Sequence, residues 1–323
     1  MPIYNDIFSI SQVYELMVDG EWVITPYVLP PSEIQFGWIG GGLNPNLSSG
    51  VNRIDYLSDT SVASVRGPLV ATTRDPGATG NASYGWFGAG ENATRISIVS
   101  RITYAQDTAT ASSRGPLSFS RSQLSATGNT LYGWFSGGSD PSGGYSIVDR
   151  IDYSQDTATA GVRGPLSLAR YWIACAGNAD YGWSAGGFIS QPLSIVDRVT
   201  YSTDTATASV RGPLSQGRYI FAATGNSNYG WFGTSEPATS RVDRIDYAGD
   251  TVTASIRGPL SLARYGASAT GSTTYGWFAG GSTPGLVSTV DRIDYAVDTA
   301  TAGVRGSLSI TLTVSAATGG FPG

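Results

Sequence analysis

Residues 263–305 read ARYGASATGSTTYGWFAGGSTPGLVSTVDRIDYAVDTATAGVR and form one unit of an internal repeat. The unit holds four short runs enriched in β-branched, aromatic and small residues, and Gly, Asp and Pro separate these runs. No window of the chain shows a sustained 3.6-residue period, which excludes helix as a major element. Four strands in about 48 residues match the size of one blade of a β-propeller.

Two sequence markers show how often this unit recurs. A Gly-Trp pair in the second predicted strand ends at Trp38, Trp86, Trp134, Trp183, Trp231 and Trp277. An Arg-x-x-Tyr marker in the third predicted strand begins at Arg53, Arg101, Arg150, Arg198, Arg244 and Arg292. Each marker occurs six times, so the sequence predicts six blades.

The phase of the repeat predicts how the ring closes. The chain enters the pattern at Phe36-Gly37-Trp38, a second strand, and leaves it after Ala317-Thr318-Gly319, a first strand. Six complete blades form only if a strand near residues 310–318 pairs with a strand near residues 34–40. We therefore predict an all-β fold over residues 34–323, a closed six-bladed propeller of four-stranded blades whose N- and C-terminal strands share one blade. An open solenoid would need polar caps instead of this permutation.

The best-preserved positions of the repeat resemble a known family. The unit quoted above carries Gly280-Gly281 after its second strand, Asp294-Tyr295 in its third and Thr299 to Thr301 in its fourth. These residues resemble the kelch repeat, except that small residues such as Ala302 stand where kelch blades have a Trp. The recurring words YGWF and VDRIDY also resemble repeats of predicted virion structural proteins of marine bacteriophages. That resemblance implies a virion component with kelch-like blades and no known chemistry.

The repeated Arg and Trp residues allow two interpretations. The Arg residues could form a ring for an anionic ligand, and Trp86 or Trp134 could stack on a sugar. We favour a structural role, in which each guanidinium pairs with an Asp of a blade and each Trp packs between sheets. A further Arg precedes the first strand of most units, at Arg74, Arg121, Arg170, Arg218 and Arg264.

The amino-acid composition excludes most catalytic mechanisms. All 19 basic residues are Arg and there is no His, so Ser-His, Cys-His and lysine Schiff-base mechanisms are absent, as are the His ligands of kelch-type copper oxidases. The single cysteine, Cys175, reads as a small apolar strand residue. A net charge of −5 argues against nucleic-acid binding. We predict a non-enzymatic protein without a cofactor or metal, although a calcium site of Asp and carbonyl oxygens stays open.

Specificity is expected where the repeats differ, in the loops between second and third strands and in the connections between blades. In a propeller these segments share one face. The candidate binding residues there mix aromatic and amide side chains and suit a glycan or a protein; they are Asn46, Asn92, Tyr145, Trp172, Phe188 and Phe221. Plain solvated loops are the alternative interpretation.

Residues 1–33 precede the repeat and are predicted to form a docking arm for other virion proteins. Asp19-Gly20 between apolar runs signals a β-hairpin, and the segment is too short to bury a core of its own. Its candidate contact residues are Tyr4, Phe8, Tyr14 and Trp22. No signal peptide and no apolar run long enough for membrane insertion is recognised.

Three functions are compatible with these features. The favoured one is a phage virion protein that decorates the capsid or tail and mediates protein–protein or host-surface attachment. The second is a soluble lectin-like module that binds carbohydrate or protein outside a virion. The third, an enzyme on a propeller scaffold, lacks the residues that catalysis needs.

Overall fold

Short strands make up most of the regular structure of residues 35–319, which are the residues that the computed structural model describes. In chain order they are β1 (Phe36–Gly40), β2 (Leu43–Asn44), β3 (Asn46–Leu47), β4 (Val51–Asp55), β5 (Ser64–Arg66), β6 (Gly77–Gly80), β7 (Tyr84–Glu91), β8 (Arg95–Thr103), β9 (Ser112–Arg114), β10 (Ser125–Gly128), β11 (Tyr132–Ser136), β12 (Ser139–Asp140), β13 (Gly143–Gly144), β14 (Val148–Asp152), β15 (Gly161–Arg163), β16 (Ala174–Gly177), β17 (Tyr181–Ala185), β18 (Val196–Thr200), β19 (Ser209–Arg211), β20 (Ala222–Gly225), β21 (Tyr229–Gly233), β22 (Val242–Asp246), β23 (Ser255–Arg257), β24 (Ser268–Gly271), β25 (Tyr275–Ala279), β26 (Ser282–Thr283), β27 (Gly285–Leu286), β28 (Val290–Asp294), β29 (Gly303–Val304) and β30 (Ala316–Gly319). Single 3-10 turns follow five of the third strands, at Tyr104–Gln106, Tyr153–Gln155, Tyr201–Thr203, Tyr247–Gly249 and Tyr295–Val297.

The strands form six antiparallel four-stranded sheets, the blades. From the inside outwards, blade 1 is β30-β1-β4-β5, blade 2 is β6-β7-β8-β9, blade 3 is β10-β11-β14-β15, blade 4 is β16-β17-β18-β19, blade 5 is β20-β21-β22-β23 and blade 6 is β24-β25-β28-β29. Each innermost strand contacts the innermost strands of the blades before and after it, and β30 contacts both β24 and β6. The ring is therefore closed, which confirms the predicted six-bladed all-β propeller.

Blade 1 joins strands from the two ends of the repeat region. β30 pairs with β1 in antiparallel register, with Gly319 opposite Gly37 and Thr318 opposite Trp38. This confirms that the first and last strands share a blade. The last strand is shorter than the predicted 310–318, because Val314 adopts a left-handed conformation (φ 48°) and turns the chain before β30 begins.

A buried Trp in each second strand holds one blade to the next. Its indole ring stacks on a Tyr of the following blade, with ring centroids 3.7–3.9 Å apart. Its Nε1–H donates to an Asp carboxylate of that same blade over 2.8–2.9 Å. The Trp–Asp pairs are Trp38–Asp107, Trp86–Asp156, Trp134–Asp204, Trp183–Asp250, Trp231–Asp298 and Trp277–Asp59.

Two Arg side chains of the preceding blade reach the same carboxylate. At Asp107, Arg53 Nη1 lies 3.0 Å and Arg66 Nε 3.4 Å from Oδ2, and the N–H of Gly67 donates to the Asp107 carbonyl oxygen over 2.8 Å. The same three contacts recur at the other five Asp residues. We call this arrangement the inter-blade clamp; its acceptors are Asp59, Asp107, Asp156, Asp204, Asp250 and Asp298.

A second type of Arg–Asp pair lies inside four of the blades. In blade 3, Arg121 Nη1 is 2.8 Å from Asp149 Oδ2, and neither side chain is accessible to solvent. Equivalent buried pairs, 2.8–3.2 Å long, occupy blades 4, 5 and 6; they are Arg170–Asp197, Arg218–Asp243 and Arg264–Asp291.

Blades 1 and 2 replace both members of this pair at once. The repeat pattern predicts Arg74 at the Arg position of blade 2, but backbone pairing places Thr73 there, and Ser100 stands at the Asp position. Arg74 lies one residue later and pairs with Glu91 near the surface (2.8 Å). In blade 1 the two positions hold Leu312 and Asn52. Paired loss is expected because a buried charge left without its partner costs about 3–5 kcal/mol.

The stacked tyrosines expose one irregularity in the ring. Five of them form a hydrogen bond of 2.6–3.2 Å to a Thr on an innermost strand. The hydroxyl of Tyr247 is buried and has no partner among the described residues, because Ala176 occupies the position that holds Thr127 in blade 3. Burial raises the pKa of Tyr247 well above its ordinary value.

We expect Ala176→Thr to stabilise the protein, since the new hydroxyl supplies the missing partner of Tyr247. The free energy of unfolding should rise by about 1 kcal/mol, measured by urea denaturation. The reverse change at an intact site, Thr127→Ala, should lower it by about 1–3 kcal/mol by leaving the Tyr201 hydroxyl unpaired. A destabilising Ala176→Thr would contradict this explanation.

Candidate functional site

The variable segments of the repeat lie together on one side of the ring. Short antiparallel bridges join the loop after a second strand to the connection that enters a blade, for example Ser122 with Ser139 and Tyr171 with Phe188. We call this side, made of the loops between second and third strands and the connections between blades, the loop face. The tight turns between the other strands lie on the opposite side.

At the centre of the loop face, six residues with left-handed backbone surround the axis. They precede the innermost strands, their φ angles run from 48° to 65°, and they are Asp75, Gln123, Trp172, Ile220, Gly266 and Val314. Five backbone N–H groups of this set donate to the carbonyl of the equivalent residue in a neighbouring blade, over 2.7–3.0 Å. These bonds offset a conformational cost of about 1–3 kcal/mol for each residue other than Gly. We call this opening the axial mouth.

The axial mouth has a polar half and an apolar half. Asp75, Gln123 and Trp172 come from three consecutive blades, whereas Ile220, Gly266 and Val314 come from the other three. Below the mouth lies a cavity of about 110 Å³, lined mainly by Ala and Ser side chains of the innermost strands.

Burial changes the acid–base behaviour of Asp75. It raises the pKa of the Asp75 carboxyl to about 7, against the opposing influence of Arg74 and Arg95, while Glu91 adds to the increase. The Trp172 indole also holds this pKa down, yet its buried Nε1–H completes no hydrogen bond within the described residues. Asp75 and Trp172 are thus polar groups at the mouth whose hydrogen-bonding capacity is not used up by the fold.

Four aromatic side chains form a cluster beside the mouth. Ring centroids lie 5.0 Å apart for Tyr171 and Trp172, 5.6 Å for Trp172 and Tyr219, and 4.8 Å for Phe188 and Tyr219. All four side chains are half-buried, and the adjacent Ile189 is 44% exposed. We call Tyr171, Trp172, Phe188 and Tyr219 the aromatic cluster.

The structure brings two of the sequence-predicted binding residues together. Trp172 and Phe188 have centroids 6.2 Å apart within the aromatic cluster. Tyr145 packs instead on Phe119 in blade 3 (5.2 Å). Asn46, which is exposed, and Asn92 lie in the loops of blades 1 and 2.

Phe221 lies beneath the axial mouth rather than among the exposed loops. It is only 7% exposed and packs against Phe232 in the core of its blade. The residue directly after a left-handed position points into the blade, as the buried Leu124 and Ile173 show at the equivalent places. Phe221 also helps to line the cavity below the axial mouth, so its predicted role in binding stays a prediction.

Tyr171 and Tyr219 are cluster members in the variable connections that are not among the six candidate binding residues. Their sequence signal is an Arg-Tyr pair at the connections, which also occurs at Arg264-Tyr265. Only the structure shows which of these tyrosines meet other aromatic rings. The arm residues Tyr4, Phe8, Tyr14 and Trp22 lie outside the described residues.

Cys175 lines the axial cavity in a row otherwise formed by Ala. Its Sγ lies 3.2 Å from Ser184 Oγ, and burial raises the pKa of the thiol, so the nucleophilic thiolate is disfavoured. Within residues 35–319, no group of three or more His, Cys, Asp or Glu side chains is placed to hold a metal ion. The same range contains no helix whose length and apolar character would suit a membrane crossing.

Comparisons with known proteins identify the fold alone. No protein-family model and no curated protein sequence matches the chain. Many solved structures do match it, among them the structure of YjhT, with a TM-score of 0.69 over 84% of this chain and 95% of that one. The two sequences are 11% identical, so this likeness supports the propeller and carries no function across. The kelch-like and virion resemblances stay sequence-based predictions.

Proposed function

We propose that this propeller is a non-enzymatic attachment protein that binds its target through the aromatic cluster on the loop face. The observation that carries the proposal is the concentration of four half-buried aromatic rings in one sector of a ring that is otherwise nearly six-fold. Rigid aromatic side chains supply a large contact area with little loss of conformational entropy, and they dominate many binding surfaces.

The chemistry of the described residues supports binding rather than catalysis. Two sets of repeated Asp residues are held by Arg, in the clamps and in the buried pairs. A third set, which includes Asp152, Asp246 and Asp294, caps the 3-10 turns, and the chain has no His or Lys. Asp75 is the carboxyl with a pKa near neutrality. Its acidic neighbour Glu91 is itself engaged by Arg74 and Arg95, so no second carboxyl is free to act as its acid–base partner.

Placement in a phage particle is the finer part of the proposal. Its support is the resemblance of the repeated YGWF and VDRIDY words to virion structural proteins, and residues 1–33 would then dock onto another particle protein. A soluble lectin-like module would use the same loop face. Attachment and virion placement therefore need separate experiments.

The paired change Phe188→Ser and Tyr219→Ser should weaken attachment. The purified protein would be titrated onto a panel of intact bacteria and onto a glycan array. The variant should bind the recognised surface about tenfold more weakly or worse, because each aromatic contact of this kind contributes about 1–2 kcal/mol or more. Tyr265→Ser is the matched control, since Tyr265 occupies the same repeat position in blade 6 outside the cluster. Equal losses in both proteins would contradict the proposal.

Mass spectrometry of purified phage particles tests the virion placement. The chain should be present at a fixed ratio to the major capsid protein, and removal of residues 1–33 should leave a folded ring that no longer enters particles. Absence of the full-length chain from particles would contradict virion placement while leaving the attachment role intact.

A further inference from the structure

The axial mouth has the features of a built binding pocket. Its six left-handed residues are fixed by backbone hydrogen bonds across the blades, so the mouth is preorganised before any ligand arrives. The same bonds occupy most of the backbone donors, which leaves side chains as the recognition groups. The cavity below is lined by small residues such as Ser125, Ala126 and Ala223, and a small polar group has room to enter it.

Three polar side chains at the mouth keep unused hydrogen-bonding capacity. Trp172 differs from the six clamp tryptophans, because each of those donates its indole N–H to an Asp. The buried Trp172 Nε1–H lies beside the Asp75 carboxyl but does not reach hydrogen-bond geometry. Gln123 accepts from Ser139 Oγ through Oε1 (2.6 Å), and its amide nitrogen makes no hydrogen bond within the described residues. Asp75 contributes a carboxylate acceptor. The mouth thus offers two donors and one strong acceptor to a ligand.

The local charges favour a neutral ligand. Arg74 and Arg95 lie beside Glu91 and Asp75. Two guanidinium groups thus face one carboxylate and one carboxyl group that is only partly ionised near neutral pH. A cationic ligand would meet the two guanidinium groups, and an anionic ligand would meet the two acidic groups. A hydroxyl group can donate to Asp75 and accept from Gln123 or Trp172 without adding a charge.

The aromatic cluster continues directly from the mouth. Trp172 belongs to both, and Tyr171 and Tyr219 flank it at centroid distances of 5.0 and 5.6 Å. A ligand seated at the mouth would therefore extend over aromatic rings. A ligand that matches this surface has an apolar C–H face for the aromatic rings and hydroxyl groups at its edge for the polar side chains. Saccharides have both features.

We infer that the axial mouth binds one residue of a neutral saccharide, with Asp75, Gln123 and Trp172 contacting its hydroxyl groups and the aromatic cluster carrying the adjoining residues. This inference rests on the proposed attachment function and specifies its target class. A protein target contacting only the cluster would satisfy the attachment role without filling the mouth.

The test starts from an array of neutral mono- and oligosaccharides of glucose, galactose, mannose and N-acetylglucosamine, probed with the full chain. The saccharide bound best is then titrated by calorimetry against Asp75→Asn and Trp172→Phe. Asn keeps the size of Asp75 and tolerates its left-handed backbone (φ 52°); Phe keeps an aromatic face and removes only the N–H donor. Each variant should bind about tenfold more weakly or worse. Asp180→Asn, an exposed carboxyl on the opposite side, should bind like the parent protein.

A second readout guards against misfolded variants. In the ¹H–¹⁵N spectrum of the parent protein, the indole signal of Trp172, assigned as the one lost in Trp172→Phe, should shift when saccharide is added, while the six clamp signals stay in place. Failure of every neutral saccharide to bind, or binding that leaves this signal and the affinity of Asp75→Asn unchanged, would overturn the inference. If the saccharide inference failed in this way, loss of cell binding in the Phe188→Ser and Tyr219→Ser protein would still support the proposed attachment function.

Discussion

The inter-blade clamp is the interaction on which the ring depends. At every blade junction one Asp carboxylate receives an indole N–H and two guanidinium groups from the preceding blade, and its own backbone carbonyl accepts a further N–H. The junction between blades 6 and 1 uses the same contacts, through Trp277 and Asp59. The junction between blades 6 and 1 is therefore held by the same contacts as the other five junctions. Because each donor set lies on one blade and its acceptor on the next, no blade can satisfy its buried polar groups alone.

The clamps also explain why the loop face can vary. They bind the blades towards the side of the tight turns, where the Asp residues lie, and the axial hydrogen bonds hold the centre of the opposite side. Between these two sets of contacts, the loop face carries an aromatic sector around blade 4 and a charged sector at blade 2, where Arg74, Glu91 and Arg95 interact. An irregular surface on a regular frame is the arrangement that a binding propeller requires.

The sequence predicts the fold well and the site only in part. Blade number, strand order and the shared terminal blade follow from residues that repeat, because the clamp residues make the same contacts at all six blade junctions. The sequence places Arg74 in the Arg column of the repeat, because it lies one residue from the position that Thr73 occupies. The burial of Phe221 depends on the left-handed backbone at Ile220, which the local sequence does not indicate. Tyr171 and Phe188 come from separate segments that meet within blade 4, and the packing of blade 5 beside it brings Tyr219 to Phe188.

If the clamps hold the ring as one cooperative unit, the six clamp indole protons must open together. Native-state hydrogen exchange followed by NMR measures this directly for Trp38, Trp86, Trp134, Trp183, Trp231 and Trp277. We expect all six to exchange with a single free energy equal to that of global unfolding. Trp38 and Trp277 form the clamps at the two junctions of blade 1. If their indole protons exchanged at a distinctly lower free energy than the other four, the ring would open at this blade. That result would contradict the central role given to the clamp.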